Sequence, residues 1–337
     1  MSESSDYSPG QWAGHNFTAA RQQYDKDAGR GAAKAAANNV KQSDLVPDTL
    51  TSTSTHPVRI DIDFTGSMGG WPGVIVGKLP YLDHEMRTEY LSEEAEVSFG
   101  AFCDTADTYT LQIQPFTKGT EMKTSLENLL HVGGGGGSDH MCEAHGVPAL
   151  YSARNVQMPN AIIKPIYIFI TDEMPHHSVV KSSAKNFAKV DIERAMSREE
   201  IFEELMEMYS VYVVLKPYGY GTLDKDHMDS DTTTVYNCWK QLIGSDRIAL
   251  LPDADRVVDV IFGILAKEVG REDYFKKELT GRQTKKQVDT VYKSLQTVHA
   301  LPKSTGGNSP KTSKLLGKGK STLHKPTGGG KKSGNLV

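Results

Sequence analysis

Six short segments rich in β-branched and aromatic residues alternate with helical windows between residues 58 and 270. The strand candidates are Val58–Phe64, Glu96–Phe102, Thr108–Phe116, Pro165–Thr171, Val211–Lys216 and Arg247–Leu251. The helical windows are Pro72–Leu91, Met122–His131, His140–Ala153, Ser197–Tyr209, Thr233–Ile243 and Ala254–Val269. Helices between strands allow the strands to lie parallel, because a parallel connection must cross back over the sheet. We therefore expect an α/β fold: a doubly wound, mostly parallel six-stranded sheet with helices on both faces and a hairpin-connected edge strand near Thr108.

The two ends of the chain lack this pattern. Residues 1–56 have no convincing apolar period, so we expect a disordered or weakly helical region there and one domain over residues 57–270. From Arg271 onward, 15 Lys and Arg against 4 Asp and Glu give +11, which leaves −15 for the rest of a chain of net charge −4. We expect a helical extension at 271–302 and a disordered Lys/Gly/Ser-rich tail at 303–337. The basic tail leaves contact with nucleic acid or another polyanion open, although no aromatic residue follows Tyr292 to stack on bases.

The cysteines and the hydropathy pattern bear on location. Cys103, Cys142 and Cys238 lie far apart and form no C-x-x-C pair, which is typical of a reducing compartment. No window approaches the roughly 18 uninterrupted apolar residues of a membrane span. The first residues show no basic-then-apolar signal pattern. These features predict a cytoplasmic protein with no membrane partner.

Oxygen-bearing side chains follow two of the strand candidates and a run of five glycines. Carboxyl ends of parallel strands meet at one edge of a sheet, and ligands bind there. Glycines in D-F-T-G-S-M-G-G let the first loop turn tightly. Such oxygens suit Mg²⁺ or Mn²⁺, since hard cations prefer oxygen ligands. The candidate metal ligands are Asp63, Thr65, Ser67, Ser138, Asp139 and Asp172.

This combination resembles the metal ion-dependent adhesion site (MIDAS) of von Willebrand factor type A (vWA) domains. The resemblance rests on D-x-T-G-S-M after the first strand, a Gly-rich loop before a helix, T-D after a later apolar strand, and W-P-x-x-x-x-x-K-L-P after the first loop. It covers about residues 57–270 and implies a vWA fold, which is Rossmann-like.

The resemblance also implies roles for the candidate ligands. Thr65 and Ser67 would ligate the ion directly through their hydroxyls, while Asp63 and Asp172 would hold its waters and supply negative charge. The family's threonine in the second loop has no identical counterpart here. Ser138 could replace its hydroxyl or Asp139 could approach as a carboxylate, and both stay open.

The resemblance implies a protein-binding module and no enzymatic activity. The cation would keep one coordination position for an Asp or Glu of a partner protein. Similar intracellular vWA proteins of bacteria and phages often act with AAA ATPases, which makes such an ATPase one candidate partner.

Two other interpretations of the same residues stay open. D-I-D-F-T also fits the D-x-D-x-T signature of haloacid dehalogenase-type phosphatases, in which Asp61 would be the nucleophile and Asp63 the general acid. Against this, Asp61 shares a strand face with Arg59 and is expected to pair with it. A scaffold protein with a degenerate, metal-free site is the other alternative.

Histidines and a cysteine cluster around the same loops. They are His140, Cys142, His145, His176 and His177. Such side chains bind Zn²⁺ in other proteins, but their spacing here fits no tight zinc template. We therefore expect them to form a polar rim of the site and to cap helix starts.

Overall fold

A computed structural model describes residues 40–131, 137, 139–219 and 228–298. Within these ranges the fold is mixed α/β, built on a mostly parallel six-stranded sheet with the order β6-β5-β4-β1-β2-β3. Only β3 runs antiparallel, paired with β2 at one edge as expected. All six predicted strands are present, and the largest shift is at β3, which begins at Leu111 and not at Thr108. The strands are β1 (Pro57–Asp63), β2 (Glu96–Phe102), β3 (Leu111–Thr117), β4 (Ile166–Thr171), β5 (Ser210–Leu215) and β6 (Ile248–Leu250).

Helices connect these strands. The capping box predicted at the start of one helix is present, because the Ser197 side chain accepts from the Glu200 N–H and Glu200 accepts from the Ser197 N–H. The helices of seven or more residues in the described ranges are α1 (Trp71–Lys78), α2 (Glu121–Glu127), α3 (Gly146–Asn155), α4 (Lys181–Phe187), α5 (Arg198–Met208), α6 (Ser230–Ile243), α7 (Val257–Val269), α8 (Glu272–Arg282) and α9 (Lys285–Leu295).

Two predicted helical windows differ most from the structure. The window Pro72–Leu91 is interrupted after α1 by a 3-10 turn at Leu79–Tyr81, because Pro80 offers no N–H to an α-helical hydrogen bond. A short α-helical turn at Leu82–Glu85 and a π-helical turn at Met86–Tyr90 follow it.

The window predicted from His140 begins only at Gly146. Met141 has φ +60°, which no helix accepts, and Cys142–Glu143 instead pairs in parallel with Met174–Pro175. This pairing draws the segment after the glycine run towards the segment that follows β4.

Buried apolar residues form two clusters, which contain alternate residues of the same strands. The first cluster holds Ile60 and Ile62 of β1 and packs against α1 and α7. The second cluster holds Tyr167 and Phe169 of β4 and packs against α3, α5 and α6. Because successive strand residues point to opposite faces, the two clusters lie on opposite sides of these strands.

Residues 42–56 are more ordered than the sequence suggested. Leu50–Thr51 pairs in parallel with Val156–Gln157, and Val46 and Leu50 are buried in the second cluster. Val46 and Leu50 are two isolated apolar residues in a polar segment, so they form no periodic pattern from which their burial could be predicted. The predictions for residues 1–39 and for the tail at 303–337 fall outside the described residues. No helix in the described part of the chain is both long and apolar enough to cross a membrane.

Helices α8 and α9, beyond the domain boundary predicted at residue 270, pack on the sheet domain. Phe275 and Leu279 of α8 and Val291 and Leu295 of α9 belong to the first apolar cluster. Arg282 at the end of α8 donates to Glu85 at 2.6 Å. These contacts make the boundary at residue 270 a testable prediction.

Substitution of Leu279 by Ala tests whether α8 is part of the cooperative fold. Leu279 is fully buried, so Leu279→Ala should lower the free energy of unfolding by about 2–5 kcal/mol. Lys277→Ala on the same helix is the matched control, because the Lys277 side chain is 83% exposed and should matter by less than about 0.5 kcal/mol. Urea denaturation followed by circular dichroism measures both. Equal midpoints for Leu279→Ala and the unmodified protein would support ending the domain at residue 270.

Candidate metal centre

The loop after β1 brings predicted ligands to the carboxyl edge of the sheet. Asp63 is the last residue of β1, and Thr65 continues in an extended conformation. A 3-10 turn follows at Gly66–Met68. Gly69 then adopts φ +57°, a left-handed conformation that favours glycine. The loop therefore curls back beside the end of its own strand before α1 begins.

A chain of hydrogen bonds joins this loop to the one after β4. The Thr65 hydroxyl donates to Asp63 Oδ1 at 2.5 Å and lies 3.0 Å from Ser67 Oγ. The Ser67 hydroxyl donates to Asp172 Oδ1 at 3.0 Å. The structure thus brings together four of the predicted ligands, with Ser67 exposed and the other three buried.

The carboxylates of Asp63 and Asp172, which both belong to this chain of hydrogen bonds, are costly to bury side by side. Asp63 is 0% exposed and Asp172 is 1% exposed. Burial, and next the negative charge of Asp172, raise the pKa of Asp63 to about 7, although hydrogen bonds from Thr65 and Thr171 oppose the rise. A divalent cation among these oxygens would supply the opposite charge that favours both ionised carboxylates.

Thr171 forms a hydrogen bond with Asp63, and His145 in turn contacts Thr171. The Thr171 hydroxyl donates to Asp63 Oδ2 at 2.7 Å and lies 3.0 Å from His145 Nε2. His145 is fully buried between aromatic rings, with centroids 4.6 Å from Phe102 and 5.1 Å from Trp239. Burial lowers the pKa of His145 to about 3, so its ring is neutral near pH 7. The imidazole therefore helps to position Thr171 without adding positive charge.

Glu143 is a buried acid near Asp63 that the sequence analysis missed. It is 5% exposed, and its Oε2 has no hydrogen-bond partner within the described residues. Burial first, followed by the negative charges of Asp63 and Glu173, raises the pKa of Glu143 to about 10. A buried carboxylate oxygen without a partner is costly, and the negative charge of Asp63 adds to that cost. The sequence hid this residue because Glu143 lay inside a predicted helix.

Lys216 is the second residue that the sequence analysis missed. It directly follows β5, and its Nζ lies 2.7 Å from Asp172 Oδ2 and 2.6 Å from the carbonyl oxygen of Ser67. Its side chain is 20% exposed. The available signal was a basic residue at the carboxyl end of an apolar strand, but Lys216 was interpreted as the last residue of that strand.

The glycine loop reaches a different neighbour. Ser138 lies outside the described residues. Asp139 Oδ2 lies 3.2 Å from His176 Nδ1, and His176 Nε2 lies 2.5 Å from Asp104 Oδ2. Asp104, Asp139 and His176 line a cavity of about 230 Å³. Asp139 therefore lies against His176. Within the described residues, it makes no hydrogen bond to Asp63, Thr65, Ser67 or Asp172.

The remaining histidines and the cysteine do not assemble a zinc site in the described ranges. His140 and His177 are exposed, as expected for a polar rim. Cys142 and His145 are buried, and the His145 side chain does not cap α3, so for these two the expectation was wrong. Burial raises the pKa of Cys142 to about 11, so its sulfur stays a thiol near pH 7. Across residues 40–298, outside the gaps, no three His, Cys, Asp or Glu side chains are arranged to hold a metal. The candidate centre is of another kind, because two of its ligands are hydroxyls.

Asp61 lies two residues before Asp63 on β1, and its carboxylate is bonded to other residues. It is 0% exposed, and Arg59 Nη2 donates to its Oδ1 at 2.8 Å, which confirms the predicted pair. The Tyr167 hydroxyl also donates to Asp61. On β2, Gly100 leaves room for this carboxylate, because a Cβ there would overlap Asp61 Oδ1.

Comparisons with known proteins do not assign a family. No protein-family model matches this chain, and no curated protein matches it. Among solved structures, the pilus adhesin SpaC from Lactobacillus rhamnosus GG in its open conformation is 11% identical with a TM-score of 0.42, over 68% of this chain and 31% of that one. Proximal thread matrix protein 1 from the mussel byssus is 9% identical with a TM-score of 0.43, over 64% of this chain and 48% of that one. This chain therefore spans less than half the length of either protein, and neither similarity is high enough to assign a function.

Proposed function

We propose that this protein is a divalent-cation-dependent protein-binding module of the vWA type, which uses Mg²⁺ or Mn²⁺. Thr65 and Ser67 ligate the ion through their hydroxyls, while Asp63 and Asp172 hold its waters and balance its charge. The observation that supports this proposal most is the hydrogen bond from Ser67 to Asp172 at 3.0 Å, because it brings the loops after β1 and β4 to one point.

The strand order supports a doubly wound, Rossmann-like arrangement as part of this proposal. From β1 the chain proceeds to β2 and β3 on one side and then returns to β4 on the other side of β1. Chain direction therefore switches between β1 and β4. In open α/β sheets such a switch point is where ligands bind, and the hydrogen-bonded loops follow these two strands.

The ligand that fits this centre is a carboxylate of a partner protein. A cation held by two hydroxyls and by water keeps a position that an Asp or Glu side chain can take. Binding of this kind requires no nucleophile and no general base in the site. The vWA resemblance alone suggests an AAA ATPase as the partner that carries this acidic group.

The geometry favours neither of the alternatives. A phosphatase needs Asp61 beside the metal as an exposed nucleophile, whereas Asp61 is buried against Arg59 and Tyr167. A degenerate scaffold would leave the loops apart, whereas Ser67 and Asp172 are hydrogen bonded.

Addition of Mg²⁺ or Mn²⁺ should raise the Tm of the full chain, and Asp63→Ala should abolish the rise. A ligand that binds only the folded state stabilises it by about 2.7 kcal/mol at a concentration of 100 times its Kd. Differential scanning calorimetry with the cation and with EDTA measures the shift. Asp246→Ala is the matched control, because Asp246 is 63% exposed and lies before β6. It is therefore at the amino ends of the parallel strands, whereas the site is at their carboxyl ends. An equal shift in Asp63→Ala and the unmodified protein would contradict the assignment of the site.

The variants Asp61→Asn and Asp63→Asn should have different effects. Asp61→Asn removes the anionic partner of buried Arg59 and should lower the free energy of unfolding by about 3–5 kcal/mol. It should leave cation affinity within a few-fold. Asp63→Asn should weaken cation affinity by more than about tenfold, or about 1.4 kcal/mol. Isothermal titration calorimetry gives the affinities, and urea denaturation gives the stabilities.

The same pair of variants decides between a binding module and a phosphatase. With Mg²⁺ present, the unmodified protein should hydrolyse p-nitrophenyl phosphate no faster than buffer does. Turnover that disappears in Asp61→Asn would replace the binding proposal with the enzyme.

A further inference from the structure

Lys216 places a fixed positive charge at the rim of the candidate centre. Its Nζ donates to the Ser67 carbonyl at 2.6 Å and to Asp172 Oδ2 at 2.7 Å. Its backbone N–H donates to the Thr171 carbonyl at 2.8 Å. Both the backbone and the ammonium group of Lys216 are therefore held beside the loop that follows β4.

The two oxygens of Asp172 have different neighbours. Oδ1 accepts from the Ser67 hydroxyl, and Oδ2 accepts from Lys216. Lys216 can therefore keep its ion pair while Oδ1 faces the hydroxyl ligands of the cation. The lysine and the cation share one carboxylate without using the same atom.

The Lys216 ammonium retains a donor for an incoming group. An ammonium has three N–H donors, and among the residues described Nζ of Lys216 has two acceptors. The Lys216 side chain is 20% exposed, whereas Asp172 beneath it is 1% exposed. The third N–H is therefore available to a group that reaches this partly exposed rim, where Ser67 is also exposed.

We propose that Lys216 binds the partner's carboxylate together with the cation and so determines specificity for an acidic group. This inference rests on the proposed function. One carboxylate oxygen of the partner would ligate the cation, and the other would accept from Lys216 Nζ. Beside the cation, the Lys216 ammonium would give the partner's carboxylate a second positive charge at the rim, next to buried Asp172.

Mn²⁺ and acetate are suitable probes for this role. Electron paramagnetic resonance of free Mn²⁺ gives the cation affinity, and Mn²⁺-induced broadening of the acetate methyl proton signal reports acetate at the centre. Lys216→Met should weaken acetate binding by about tenfold, as expected for the loss of one charge-assisted hydrogen bond. It should bind Mn²⁺ at least as tightly as the unmodified protein, because a neighbouring positive charge is removed. Lys216→Arg should restore acetate binding.

Two controls separate this effect from general loss of charge or of structure. Lys118→Met removes a lysine paired with Glu94 at the opposite edge of the sheet, and it should change neither measurement. Acetamide, a neutral probe of the same shape, should not distinguish Lys216→Met from the unmodified protein. Thermal unfolding confirms that each variant is folded.

The outcomes distinguish this inference from the proposed function. Normal acetate broadening in Lys216→Met, with Mn²⁺ bound, would overturn the role of Lys216 and leave the cation site standing. Weaker Mn²⁺ binding in Lys216→Met would also overturn it, because the lysine would then act only by holding Asp172 in place. Failure of the unmodified protein to bind Mn²⁺ would contradict the proposed function itself.

Discussion

Two buried carboxylates, Asp63 and Asp172, lie at the ends of neighbouring parallel strands, and the polar groups around them are arranged to make that burial tolerable. A buried carboxylate needs hydrogen bonds or an opposite charge. Asp63 receives the hydroxyls of Thr65 and Thr171, and Asp172 receives Ser67 and Lys216. Of these partners only Lys216 carries a full positive charge, so charge compensation is incomplete at this edge of the sheet.

The same strand carries a second buried carboxylate that has a charged partner. Asp61 and Asp63 lie two residues apart on β1, and both are fully buried. Asp61 is paired with the Arg59 guanidinium, which is itself 0% exposed, so its charge is neutralised inside the protein. Asp63 has only neutral donors, and burial and the charge of Asp172 raise its pKa to about 7. Burial raises the pKa of Asp61 too, but there the Arg59 charge opposes the rise. The two acids thus have separate roles: Asp61 is part of the packed sheet, and Asp63 is free to respond to a ligand that brings positive charge.

Much of the fold follows from local sequence patterns, because the six strands are short runs rich in β-branched and aromatic residues. The positions of Asp63 and Asp172 were predictable for the same reason, since Asp63 ends the first of these strands and Asp172 directly follows the fourth. Features that depend on tertiary contacts were not predictable. Helix α4 was missed because Ala184 is its only buried residue within the described chain.

Glu143 and Lys216 show the same limit within the site. Glu143 lies beside the segment after β4 because Met141 adopts a positive φ and Cys142–Glu143 pairs with Met174–Pro175. No local pattern encodes that pairing. Lys216 reaches Asp172 because β5 lies beside β4 in the sheet. No single sequence segment determines the order of the strands.

The hydroxyls of Thr65 and Ser67 explain why this hydrogen-bond chain is compatible with a cation. Each hydroxyl has one donor and two acceptor lone pairs. The Thr65 hydroxyl donates its proton in a hydrogen bond to Asp63, and the Ser67 hydroxyl does so to Asp172. The lone pairs of both hydroxyl oxygens therefore remain available to another partner. Those lone pairs belong to oxygens only 3.0 Å apart, a separation that one small cation can bridge. A cation between them would therefore use contacts that the folded chain has already formed, and both hydrogen bonds to the carboxylates could persist while it is bound.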